Sequence, residues 1–273
     1  KGWRKALDLF KKEASFIKNS IYLEKKLPDI LHAHWTYEYA QGIIPFRNKI
    51  PVIVSVRDWA PLILSLNKNY YRFSRLILNN KIFKTSSIKF VANSPYIIDK
   101  IESKWNINSQ IIPNPINRKF QDAPKLNCTK SYIISVTNSL GTLKNIFTLL
   151  EAFKLVLNHF PKQKLVLVGS SFVETNPQIL KWKSQGLLNN VVLKGSVNHD
   201  ELILLYDESA LMVHPSLEES FGNTLIEAMA RKVPVIGGEI SGAVPYVLNH
   251  GKCGLLCDVT SNQAIKNAIL KVL

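Results

Sequence analysis

"SYIISVTNSLGTLKNIFTLLEAFKLVLNHFPKQKLVLVGSS", residues 131 to 171, decides the fold. Its two outer runs, "SYIISVTN" and "QKLVLVGSS", are short, nearly continuous apolar stretches bounded by polar and turn residues. That is the form of strands buried in a parallel sheet. Between them "LKNIFTLLEAFKLVLNHF" reads as a helix. Parallel strands need a crossover to rejoin the same sheet, and a helix of this length supplies one.

Toward the C-terminus the alternation continues. "PQILKWKSQGL" (helix), "NVVLKGSV" (strand), "HDELILLYDES" (helix), "ALMVHPS" (strand), "NTLIEAMARK" (helix), "VPVIGGE" (strand) and "GLLCD" (strand) follow in order. Upstream, "IIPNPINRKFQDAPKLNCTK" is rich in Pro, Asn and charge and reads as a linker. Before it stand four more strand-like runs, "PDILHAHW", "IPVIVSVRD", "SSIKFVANS" and "SQIIPNP", with "LILSLNKNYYRFSRLILNNKIFK" helical between the second and third. The chain opens on an amphipathic helix carrying Trp3, Leu7, Phe10, Ala14 and Ile17 at three- and four-residue steps. The expectation is an α/β fold of two Rossmann-like, doubly wound domains facing a cleft, with residues 1–118 and 119–273 as the domains. Ligands then belong at the carboxyl ends of the strands.

The 273 residues are 46% apolar, enough for two cores. No apolar run approaches the roughly 20 residues of a membrane-spanning helix. The first residue is Lys1 and no secretory leader follows, so the expected setting is cytoplasmic and the chain reads as a fragment. Cys128, Cys253 and Cys257 lack zinc-like spacing and read as reduced structural thiols. The net charge of +15 is uneven: residues 1 to 126 hold 22 Lys/Arg against 9 Asp/Glu, and the rest 13 against 11. A basic first half suits an anionic membrane surface, an anionic substrate or nucleic acid. No nucleic-acid motif supports the last, and no nucleic-acid partner is expected.

The chemistry concentrates in "HPSLEESFGNTLIEAMA", residues 214 to 230. A strand ends, a Phe-Gly-Asn turn follows, and a helix begins near Gly222 and Asn223. The uncapped N–H groups of a helix's first turn carry partial positive charge and suit a phosphate or an electron-rich sugar oxygen. Glu219 before the turn and Glu227 a turn inside the helix can both reach the cleft, and carboxylates suit vicinal hydroxyls. The plain alternatives are an acidic residue favoured at a helix start and a solvated helix face. Glu227, between Ile226 and Ala228, fits the second poorly.

This block resembles the donor site of retaining GT-B glycosyltransferases of the GT4 type, with Glu219 and Glu227 matching that family's E-x7-E. The likeness runs from "HPSLEESFGNTLIEAMARKVPVIGGEISGAVPYVLNHGKCGLLCD" back through "LVLVGSS", "IIPNPINRKF", "VANSPYI" and "DILHAHW", almost the whole chain. It implies a nucleotide-sugar donor in the second domain and a hydroxyl acceptor, such as an oligosaccharide or lipid-linked intermediate, mainly in the first. It assigns Glu227 to the ribose hydroxyls and Glu219 to the donor sugar. Backbone at Phe221, Gly222 and Asn223 faces the sugar and pyrophosphate, with Thr224 also placed in the donor site, and Gly242 can bring its own backbone close to phosphate. Lys144 corresponds to the pyrophosphate lysine, and its place at a helix start is disfavoured without an anion nearby. Asp58 is the only nearby carboxylate of the first domain and joins Glu219 and Lys144 as a candidate catalytic residue. No metal and no cofactor beyond the co-substrate are expected, the leaving diphosphate itself helping to deprotonate the acceptor. The resemblance also implies a first strand and glycine-rich loop before residue 1 and a closing helix after Leu273.

The sequence departs from the pattern in places. Ser139 stands where the family has Arg five residues before the lysine, with Arg231 or Lys232 as candidate substitutes. Arg57 replaces a His near the reacting centre, where it can pair with phosphate or an anionic acceptor. Pro245-Tyr246 replaces a commoner Pro-Glu. His32 and His34, two apart in a strand, share a face, His34 being the candidate for acceptor contact, and His214 is a possible lining residue of the donor pocket. The expected function is sugar transfer with retention in surface polysaccharide or glycolipid synthesis, at the inner membrane face if peripheral. The alternatives are a nucleotide-sugar epimerase on the same fold and a non-catalytic partner subunit that binds donor without turnover.

Overall fold

The computed structural model describes residues 2–126 and 130–273. Cys128 and the side chain of Trp3 lie outside the described residues. In chain order the first part contains α1 (Gly2–Leu23), β1 (Leu31–His34), α2 (Glu38–Ile43), β2 (Val52–Val56), α3 (Ala60–Leu66), α4 (Tyr70–Phe83), β3 (Lys89–Ala92), α5 (Pro95–Trp105) and β4 (Ser109–Ile111). The second contains α6 (Lys119–Asp122), β5 (Tyr132–Val136), α7 (Ile146–Val156), β6 (Lys164–Val168), α8 (Pro177–Ser184), β7 (Val191–Leu193), α9 (His199–Glu208), β8 (Ser209–His214), α10 (Asn223–Ala230), β9 (Val235–Gly238), α11 (Val244–Val247), β10 (Leu255–Cys257) and α12 (Asn262–Val272). They form two compact units, Lys1–Pro113 and Asn114–Leu273, so the division precedes Asn114 rather than following residue 118. The earlier division has a physical reason: Asn114 donates to Asn223, and Ile116 packs on the second unit's core.

In the first unit the described strands run in chain order, β1-β2-β3-β4, all parallel. Val52, Val54 and Val56 of β2 alternate inward and pack with Phe90, Ala92, Ile97 and Ile101. His32 and His34 fall together on the exposed face of β1, as their spacing predicts. The single helix expected before β3 is two helices. Asn67 ends α3 with non-helical backbone, and Asn69 caps α4 by accepting from the Arg72 N–H at 2.8 Å. An Asn side chain that satisfies an orphan donor starts a new helix in place of continuing the old one.

In the second unit the order is β10-β9-β8-β5-β6-β7, again parallel. The chain moves outward from β5 through β6 to β7, then returns to the other side of β5 as β8, β9 and β10. Two cores result. One face of β5 sends Ile133 against α7, α8 and α12; the other sends Tyr132, Ile134 and Val136 against α9 and α10. The reversal between β5 and β8 opens a crevice at their carboxyl ends, where an open α/β sheet binds its ligands.

Candidate active site

At that reversal a cavity of about 330 Å³ is lined by Val136, Thr137, Asn138 and Ser139 after β5, and by His214, Glu219, Ser220, Phe221, Gly222, Asn223 and Thr224 after β8. Lys144 and Asn114 complete the lining. A larger cavity, about 650 Å³, lies against the edge strand β7, lined largely by Val, Leu and Ile side chains. It is remote from the reversal and gathers no comparable set of polar groups.

The turn into α10 depends on Gly222. Its φ of +95° is left-handed backbone, favourable to glycine. Among the described residues no side chain caps the first turn of α10, so its amide end stays available to an anion. Gly242 has a structural job beside the phosphate approach expected of it. At φ +61° it passes so close to Glu219 that a Cβ would stand 2.3 Å from the Glu219 carbonyl oxygen, and the Ala243 N–H donates to that oxygen at 2.8 Å. Gly242 does not line the cavity; it fixes the backbone from which Glu219 projects.

Glu219 is the centre of a polar network. Its Oε1 accepts from Lys144 Nζ at 2.5 Å and bonds His214 Nε2 at 3.1 Å, while His214 Nδ1 meets Thr224 Oγ1 at 3.3 Å. Burial alone pushes this carboxyl up, but the hydrogen bonds and charges of His214 and Lys144 outweigh it and hold the pKa at about 2. Glu219 is therefore an anion at any physiological pH. Lys144 does not open a helix as the sequence suggests. It ends a 3-10 turn, Thr142–Lys144, and Asn145 in left-handed backbone separates it from α7. The anion that a lysine at this place calls for is, in the free protein, Glu219.

Glu227 is half-buried, beside the Tyr206 hydroxyl rather than in the cavity lining. Burial raises its pKa to about 7, against the opposing effect of the Tyr206 hydrogen bond. The missing arginine is not replaced by Arg231. That guanidinium is 1% exposed, pairs with Asp207 at 2.6 and 2.9 Å, and donates to the carbonyls of Phe120, Ala123 and Pro124. It ties the segment after α6 to the unit's core and has no donor to spare. Lys232 is exposed and absent from the lining. Ser139 is in the lining, but its hydroxyl accepts the Gly141 N–H at 3.0 Å and shapes the turn. Thr137, Asn138 and Asn114 went unread from sequence, although "IIPNPINRKF" contains Asn114. Only its place beside Asn223 reveals it.

In the first unit, Asp58 accepts from the Tyr37 hydroxyl at 2.7 Å. Burial raises its pKa, while Tyr37, Arg75 and Arg72 pull the other way. Arg57 Nη1 donates to His34 Nδ1 at 3.0 Å, which leaves the ring proton on Nε2, because a guanidinium can only donate. His32 Nε2 meets Ser55 Oγ at 2.7 Å. Both histidines are shifted toward the neutral form, His32 by burial, then His34 and then Arg57, and His34 by burial and then Arg57. Asp58 is thus a member of a polar cluster within the first unit.

Two parallel-sheet units, the second with its cavity at a strand-order reversal, define a GT-B type of fold. Over 97% of its length the chain superimposes on 69% of sucrose-phosphate synthase from Thermosynechococcus elongatus with a TM-score of 0.77 at 19% identity. Residues 117–273 match the family model of glycosyl transferases group 1, and the chain belongs to that family. It is 28% identical over 157 residues to the capsular polysaccharide biosynthesis glycosyltransferase CapM of Staphylococcus aureus, covering 58% of this chain and 40% of that one. It is 30% identical over 145 residues to N-acetyl-alpha-D-glucosaminyl L-malate synthase of Bacillus anthracis, covering 53% of this chain and 36% of that one. The matched segment thus spans well under half the length of each of these two relatives.

Proposed function

We propose that this chain carries the donor half of a retaining, metal-independent glycosyltransferase, which moves a sugar from a nucleotide-sugar to a hydroxyl acceptor in surface polysaccharide or glycolipid synthesis. The observation that supports this most directly is the convergence of Lys144, Glu219 and the uncapped first turn of α10 on one cavity at the sheet's reversal. A diphosphate at that turn meets peptide dipoles and the Lys144 ammonium, both aimed where charge grows as the nucleotide leaves. Glu219, fixed as an anion, accepts hydrogen bonds from the donor sugar's hydroxyls. Glu227 takes the ribose. The departing diphosphate oxygen then receives the acceptor's proton on the face it leaves, so the configuration is retained. Neither a metal nor a further cofactor is needed, since Lys144 and α10 neutralise the leaving group.

Support for the acceptor class comes from the relatives: one is named for capsular polysaccharide, another for a glucosaminyl malate. The basic first half suits an acceptor at an anionic membrane surface on the cytoplasmic side. Thermal denaturation against a panel of nucleotide-sugars and free nucleotides tests the reading. Stabilisation by one nucleotide-sugar, above its own nucleotide and lost in Glu227→Ala, is the expected result. A panel in which none raises the midpoint sinks it. Ser139, engaged in the turn, and Arg57, engaged with His34, favour a second reading, a subunit that binds donor without turnover. Binding without hydrolysis or transfer would select that one.

A further inference from the structure

Lys144 and His214 converge on one oxygen of Glu219, yet only one of them is free to leave. Lys144 reaches it from a flexible stem with its side chain 29% exposed. His214, the last residue of β8, is 4% exposed and engaged at both ring nitrogens. An ionised carboxylate offers only acceptors, so Nε2 carries the hydrogen it shares with Glu219, and Thr224 Oγ1 engages Nδ1. Thr224 belongs to the first turn of α10, the place proposed above for the diphosphate. A diphosphate arriving there competes with Glu219 for the Lys144 ammonium. Once Lys144 turns to it, the imidazole is what still holds the carboxylate.

We propose that His214 is a positioning residue for the donor sugar: clamped by Thr224, it keeps Glu219 aimed at the sugar hydroxyls after Lys144 has changed partner. The role rests on the nucleotide-sugar reading and deepens it, because it separates recognition of the sugar from recognition of the phosphates. Lys144 serves the second, His214 the first. Oε1 stays with the imidazole, and Oε2 remains as the acceptor for substrate.

Calorimetry with UDP, GDP, UDP-glucose and GDP-mannose on the native chain, His214→Leu, His214→Gln and Thr224→Val tests it. His214→Leu should weaken the nucleotide-sugar by about tenfold or more while leaving the free nucleoside diphosphate within about twofold of native, the worth of one hydrogen bond to a charged group. His214→Gln should recover most of the loss, since an amide can donate to Glu219 and accept from Thr224. Thr224→Val should fall between. Equal loss of both ligands in His214→Leu, or no loss of either, overturns the proposal. So does imidazole nitrogen NMR of the native chain showing Nε2 without its hydrogen. If the native chain binds none of the four, the nucleotide-sugar reading falls and the sugar role with it. If the native chain binds and the variants show the wrong pattern, only the role of His214 falls.

Discussion

Glu219 and Glu227 stand eight positions apart, and the fold drives their titrations in opposite directions. Glu219, with two donors on one oxygen, goes down to about 2; Glu227, buried beside a phenol, goes up to about 7. The consequences for stability have opposite signs. What Glu219 contributes is present above its ordinary 4.5 and is lost as pH falls through about 2. What protonated Glu227 contributes is present below 4.5 and is lost as pH rises through about 7. For binding, an ionised Glu227 is the better ribose acceptor, so nucleotide affinity should fall roughly tenfold between about pH 8 and pH 6, one proton being taken up over that span. Calorimetry at the two pH values measures it, and Glu227→Gln should remove the dependence. A flat profile in the native chain rules out this role. Lys144→Met should weaken a free nucleoside diphosphate by about tenfold to a hundredfold, as loss of a charged contact does, while His214 keeps Glu219 ionised. The sequence singled out Glu219, Glu227 and Lys144 through their residue types and the resemblance they carry, and the structure brings Glu219 and Lys144 to one cavity. That Lys144 and Glu219 pair with each other was not legible, since 75 positions separate them and only the return of the chain beside β5 brings them together.

At the scale of elements, the strands were legible wherever both faces are buried, because a short, continuous apolar run between turn residues suits a strand covered on both sides and little else. The breaks were not. Asn67 and Asn69 divide α3 from α4, and Asn145 divides the 3-10 turn from α7, through backbone angles and a side-chain cap that a hydropathy pattern does not carry. Arg231 shows the same limit. Read as a spare charge, it is a fully buried tie between α10's end, Asp207 of α9 and the carbonyls that follow α6. Arg231→Met removes the guanidinium that donates to both oxygens of buried Asp207, and should cost about 3–5 kcal/mol in chemical denaturation. Adding Asp207→Leu should return a good part of it, because an apolar pair leaves no uncompensated charge. A single-variant loss under about 1 kcal/mol would show that the pair does not hold this segment. Gly242→Ala tests the support of Glu219: a methyl 2.3 Å from the Glu219 carbonyl forces the backbone apart. The expected outcome is a loss of about 1–3 kcal/mol, together with weaker binding of nucleotide-sugar than of free nucleotide.

For the whole molecule, the question is where the first half's charge is used. The excess of lysine and arginine before residue 127 has no counterpart after it, and α1 carries part of it, with Lys11, Lys12, Lys25 and Lys26 on or just beyond the helix. The same segment leaves large apolar side chains in water: Phe16 is 74% exposed, Tyr22 58% and Leu23 84%. Lysines beside exposed aromatic and aliphatic groups are the pattern of a helix that lies in an anionic headgroup layer. Among the described residues no helix is long and apolar enough to cross a bilayer, and the prediction that follows from the charge and the exposed apolar groups of α1 is binding in the plane of an anionic surface. Two contributions then add, and salt separates them. The coulombic part fades as the Debye length falls from about 30 Å at 0.01 M to 3 Å at 1 M, while burial of Phe16 and Leu23 does not. Flotation should therefore show binding to phosphatidylglycerol vesicles and little to phosphatidylcholine, falling with salt to a residue that the double substitution Phe16→Ser, Leu23→Ser removes. Equal binding to both vesicles, or salt dependence unchanged in a variant with Lys11, Lys12, Lys25 and Lys26 replaced by Gln, would mean that the charge of this half serves the acceptor itself rather than the surface on which it lies.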